Sequence, residues 1–219
     1  MNLLILFIEI VISTLLLIYM YKKYKNDGIY LFIMIVTIIL SIMSVKKIEL
    51  FTFELNLDIV LNSLLFISST IMVHKKGPNE IRKILTLIVI SSMMLFLTST
   101  IVSLITCSEI NNISNLSFNS IFNFKSRVYI GMIVSLCISL FINSYIYHLV
   151  RQVRNKILLS NVLSIIISSF VECVLFIVIG YSFEIRLVNM VELMFVRYII
   201  KVILCVMATR LIYLLNDIR

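Results

Sequence analysis

The feature that most constrains this chain is a succession of long apolar runs separated by short charged links. Each run is about as long as the ~20 residues a helix needs to cross a ~30 Å hydrocarbon core. Backbone polar groups in lipid must be satisfied internally, so the expected fold is all-α: a polytopic integral membrane helix bundle with six to seven transmembrane helices. Composition agrees, with 61% hydrophobic and 14% charged residues and a mean hydropathy of +1.12. Soluble domains run at ~45–50% apolar and ~25% charged. The chain reads as one transmembrane domain over residues 1–219, with spans at about 3–20, 29–45, 57–73, 84–106, 128–149, 157–181 and 192–215.

Leu3 to Met20 has no basic region before it and no small-residue cleavage site after it, so it reads as a retained first span rather than a signal peptide. The formal charge of +8 does not point to nucleic acid, because the cations sit in short links. Three alternate links are basic: Lys22, Lys23 and Lys25; Lys75, Lys76, Arg82 and Lys83; Arg151, Arg154 and Lys156. The positive-inside rule puts these links in the cytoplasm. The expected location is a multi-pass plasma (cytoplasmic) membrane protein with its N-terminus outside and its C-terminus inside. The third span has a polar entrance at Glu54, Asn56, Asp58 and Asn62, which suits a short re-entrant segment lining a cavity. The Asn- and Ser-rich stretch at 107–126, with Phe118, Phe122 and Phe124, is expected along the outer interface.

Ionisable residues inside spans are functional hypotheses by default, and here they are Glu9, Glu172, Arg197, Lys201 and Arg210. At 1.5 Å per residue, Glu172 and Lys201 both lie ~13 Å below the outer ends of their helices, a depth at which they can pair. Arg197 and Lys201, four apart, share a helix face. Such a pair either holds two spans together or lines a ligand cavity. Ser160, Ser164 and Ser168 recur every four residues, which more often allows close helix approach than it binds a substrate.

No catalytic residue is expected. His74 and His148 have no zinc-ligand partner at helical spacing. Cys107, Cys137, Cys173 and Cys205 stand singly, without metal or redox spacing. There is no phosphate-binding loop, so ATP-driven action would need another subunit.

The order of motifs resembles the queuosine-precursor transporter family, also called vitamin-uptake-transporter-like proteins. The residues that carry the likeness run through the whole chain. They include Tyr21–Tyr30 after the first span, Lys46-Lys47-Ile48-Glu49-Leu50-Phe51, and Phe66–Gly77 followed by Glu80-Ile81-Arg82-Lys83. Later come Phe124-Lys125-Ser126-Arg127, Ser139–Asn143, Ser164–Cys173, Tyr198 with Lys201, and Tyr213. In this alignment Thr70 and His74 stand where the family carries acids, and Glu172 keeps one. The resemblance implies import of a small planar heteroaromatic molecule, a pre-queuosine base or queuine, into a cavity among spans three, five, six and seven. It implies substrate-binding roles for Arg127, Asn143, Ser168, Glu172, Tyr198 and Lys201, with no metal and no cofactor. The implied partners are a 7-deazaguanine base, the lipid bilayer, and a second copy of the chain or an accessory energy-coupling subunit. The alternatives are an importer of a different vitamin-like ligand and a non-transporting membrane partner or scaffold.

Overall fold

The structure, a computed structural model, describes residues 2–44, 46–50, 53–103, 126–154, 157–182 and 186–216. Its helices are α1 (Asn2–Met43), α2 (Ile59–Lys76), α3 (Glu80–Ser103), α4 (Ser126–Arg154), α5 (Ile157–Tyr181) and α6 (Leu187–Asn216). Between α1 and α2 lies an antiparallel hairpin of β1 (Lys47–Leu50) and β2 (Phe53–Asn56), with Ile48 opposite Leu55. The expected interfacial stretch falls, at 107–125, outside the described residues. So do Cys107 and the side chains of Arg210 and Tyr213.

Two sequence expectations change in detail. The two apolar runs expected as the first two spans are joined without a loop: α1 is a single 42-residue element broken only at Lys25 (φ 52°, ψ −129°). A straight helix of that length would reach ~63 Å, twice a hydrocarbon core. The break instead folds the chain back, and a Cβ on Gly28 would run into the Met20 carbonyl, so only glycine fits the close approach. The entrance to the third span is the hairpin, not a re-entrant helix, and α2 begins only at Ile59.

The packing is inverted relative to a soluble protein. Every residue of α2 from Ile59 to Val73 is buried, including Asn62, Ser63, Ser68, Ser69 and Thr70. Meanwhile α1 exposes Ile5, Phe7, Ile12 and Leu15, and α3 exposes Ile90, Met93, Met94 and Leu97. An apolar exterior around a mixed interior that shelters the polar side chains is what a lipid solvent selects. The buried hydroxyls are largely satisfied within their own helices: Ser63 donates to the Ile59 carbonyl (2.8 Å) and Thr37 to that of Ile33 (2.7 Å). Among the described residues, four helices are long and apolar enough to cross a membrane: α1, α3, α4 and α5. The other two are α2, which is short and holds Asn62, three serines and Thr70, and α6, which carries Glu192, Arg197 and Lys201 within its apolar length.

Of the helix pairs, α4 against α5 is the most extensively packed. A Cβ on Gly131 would stand 3.1 Å from the Gly180 backbone nitrogen, the approach that small residues permit between membrane helices. The Tyr129 hydroxyl ties α4 to α3 by donating to the Ser92 carbonyl. One end of the bundle gathers the basic links: Lys75 meets Tyr21, and the Tyr30 ring lies under the ammonium groups of Lys76 and Lys83. The opposite end carries the hairpin, where the Asn56 amide donates to the Ser44 carbonyl (2.7 Å) and the Tyr181 hydroxyl (2.9 Å).

Candidate functional site

Residues four apart lie along one helix face, and three helices use that spacing to aim polar groups at one another. On α2 and just before it the stripe is Asp58, Asn62, Phe66, Thr70 and His74; on α5 it is Ser164, Ser168, Glu172 and Phe176; on α6 it is Arg197, Lys201, Cys205 and Thr209. The stripes meet inside the bundle.

Towards the hairpin end they form a closed ionic cluster. Arg197 grips Asp58 with both terminal nitrogens, Nη1 to Oδ1 at 2.9 Å and Nη2 to Oδ2 at 2.8 Å. Its Nη2 also donates to Glu172 Oε1 at 3.1 Å. Lys201 Nζ donates to Glu172 Oε2 (3.0 Å) and to Asn62 Oδ1 (3.1 Å), and Asn62 Nδ2 returns to Glu172 Oε1 (2.9 Å). All five side chains are at most 2% exposed. Two carboxylates and two cations make the cluster neutral, which is how charge survives in a low-dielectric interior. Aromatic faces complete it: Phe176 lies 4.4 Å from the Arg197 guanidinium carbon and Phe66 lies 3.8 Å from Lys201 Nζ, cation–π contacts that desolvation strengthens.

One donor is left over. Arg197 Nε is buried with no acceptor among the described residues, and an unmet buried polar group costs ~1–3 kcal/mol. Arg197 lines a narrow crevice with Leu55, Asn56, Ile177, Tyr181 and Leu193, too tight in this structure to hold a water molecule.

Further along α2 the polar path continues without charge. Asn143 Nδ2 donates to Thr70 Oγ1 at 2.9 Å, and Ser168 donates to Asn143 Oδ1 at 3.3 Å, so α2, α4 and α5 meet there. Beyond it, at the basic end, Tyr147 and His74 Nδ1 hydrogen-bond at 2.8 Å beside an open cleft of about 470 Å³. From Asp58 to His74 this column spans sixteen residues of α2, ~24 Å at helical rise.

Of the residues singled out from sequence, the structure brings Glu172 and Lys201 into contact and places Asn143 and Ser168 one step along the same column. Arg127 lies apart, exposed, donating to the Ser182 carbonyl at 3.1 Å. Tyr198 also lies apart, its ring edge-on to Phe170 at 5.8 Å, and Phe170 is 58% exposed on the outer surface. Asp58, Asn62 and Arg197 complete the site beyond the expected substrate-binding residues; the four-residue stripe on α2 carries the signal for the first two, and the spacing from Lys201 carries it for Arg197. Among the described residues, no three His, Cys, Asp or Glu side chains are grouped to hold a metal ion.

Three comparisons bear on this architecture. The family model described as "Putative vitamin uptake transporter" matches residues 56–215. A protein of Bacillus subtilis (strain 168) named "Probable queuosine precursor transporter" is 26% identical over 146 residues, which is 65% of this chain and 62% of that protein. The chain therefore spans less than two thirds of that relative's length. No solved structure matches. The family match takes in β2's last residue and every helix after it, including all five members of the ionic cluster, and the chain belongs to the vitamin uptake transporter family.

Proposed function

We propose that this protein imports a small planar heteroaromatic molecule, of the kind represented by a pre-queuosine base or queuine, across the plasma membrane. In this reading both arms of α1 and each of α2 to α6 cross the bilayer, giving seven spans. The N-terminus is outside and the basic end of the bundle faces the cytoplasm, in keeping with the positive-inside rule. The name of the Bacillus relative supports the cargo class.

The observation that carries the proposal is the neutral, fully buried cluster of Asp58, Glu172, Arg197 and Lys201 with one guanidinium donor unmet. A flat, polar-edged ring offers ring nitrogens and a carbonyl that accept from Arg197 and amino groups that donate to Glu172, while aromatic faces stack on it. Asn143 and Ser168 then form a hydrogen-bonding path from this cluster towards the cleft at the basic end. Coupling falls to ions, to a partner subunit, or to trapping of the imported molecule inside the cell.

The test is uptake of labelled queuine or a pre-queuosine base in cells lacking their own route. The expected result is uptake by the parent protein that is lost in Glu172→Ala and Lys201→Ala. Absence of uptake by the parent sinks the queuosine reading. A second reading is favoured by the closure of the cluster, whose members satisfy one another almost completely: a non-transporting membrane partner in which the ions only lock helices together. Under that reading, membrane insertion fails in the variants and no substrate is found.

A further inference from the structure

We propose that the cleft at the basic end is a binding site for a phosphate-bearing ligand, separate from the ionic cluster and independent of the cargo assigned above. Its walls come from the last turns of α2 and α4, which present His74, Gly77, Tyr147, His148, Arg151 and Gln152. At about 470 Å³ it falls within the ~300–1,000 Å³ of small-molecule sites. The side chains offer donors in several directions, and among the described residues no carboxylate lines the space. A cation would meet Arg151 uncompensated, whereas an oxyanion meets complementary charge.

Arg151 gives the sharper observation. Its Nη1 is buried and has no acceptor among the described residues, so the guanidinium fork, whose geometry matches phosphate oxygens, has a donor to spare. His148 Nε2 and Gln152 Nε2 lie 3.0 Å apart, so these two side chains hold one another at the same rim. The carbonyl end of α2 opposes an anion, but the Val73 carbonyl is covered by the Gly77 N–H at 2.9 Å, and Lys75 and Lys76 follow directly. The whole end carries Lys22, Lys23, Lys25, Arg82 and Lys83 as well, a field that concentrates anions at the mouth.

A phosphate group at this position comes either from a free phosphate compound or from a phospholipid headgroup. The experiment measures thermal unfolding of the purified protein in nanodiscs while inorganic phosphate is titrated at constant ionic strength. One arm uses phosphatidylcholine alone, and the other replaces part of it with phosphatidylglycerol. A saturable rise in Tm with phosphate in the first arm supports a free phosphate ligand. A higher starting Tm in the second arm, with the phosphate response abolished, supports a headgroup. In both cases Arg151→Gln weakens the response on the order of tenfold. Gln152→Glu, at an exposed position, leaves the fold intact and weakens it similarly by adding a carboxylate at the rim. Arg82→Gln, a cation of the same end outside the cleft, leaves it unchanged. No saturable response in either lipid, or a full response retained in Gln152→Glu, overturns the proposal.

Discussion

The Arg197–Asp58 contact sets the cost of disturbing the interior. Both groups are buried and doubly bonded, so removing one partner strands a charge, typically ~3–5 kcal/mol. Arg197→Met is expected to lower stability by about that much in denaturant or thermal unfolding. The double variant Asp58→Leu with Arg197→Met is expected to recover most of the loss, because removing both charges leaves none uncompensated on that arm. If the double variant is as unstable as the single one, the contact is not a coupled pair. Uptake separates the roles: a stable double variant that no longer transports assigns Arg197 to the cargo. Three of the cluster's four charges are legible in sequence, Glu172 and Lys201 through the depth that follows from helical rise and Arg197 through the face it shares with Lys201. Asp58 is not, because in sequence it belongs to the polar entrance of the third expected span. Its burial depends on Arg197, 139 residues later in sequence, and no local pattern reports that.

At the scale of elements, the apolar runs announced the helices, while their ends depended on neighbours. The apolar run at 157–181 coincides with helix α5 at both ends, since Lys156 and Tyr181 bound a stretch of mostly hydrophobic and hydroxyl content. By contrast α2 shifted, from 57–73 to 59–76, because the hairpin claims the residues before it: Leu57 N–H bonds the Lys46 carbonyl at 2.9 Å. Hydrophobicity alone also missed the hairpin and the single-residue break at Lys25, where the sequence suggested a loop over 21–28. The α4–α5 crossing supports an element-scale prediction. Gly131→Leu must displace the Gly180 backbone and is expected to cost ~1–3 kcal/mol, whereas Ile130→Leu, an exposed position one residue away, is expected to be near neutral. Equal unfolding midpoints for the two variants contradict the close approach.

For the molecule as a whole, the inverted distribution of polar and apolar residues makes orientation the property to measure. With the native cysteines replaced, Lys25→Cys and Gln152→Cys are expected to react with an impermeant thiol reagent only in inside-out vesicles. Arg127→Cys, exposed at the opposite end, is expected to react in intact cells. The reverse pattern turns the bundle over. The fully buried α2 has a further consequence for how the protein is made. Its Asp58 leaves the ribosome 139 residues before Arg197, roughly 7–28 s at usual elongation rates. During that interval α2 and the Asp58 before it have neither the counter-charges of Arg197 and Lys201 nor a complete wall of neighbours. Insertion of α2 must therefore wait for α5 and α6, or be held meanwhile by an insertase, and chains cut short after Tyr181 are expected to be cleared by membrane quality control although their apolar helices are intact.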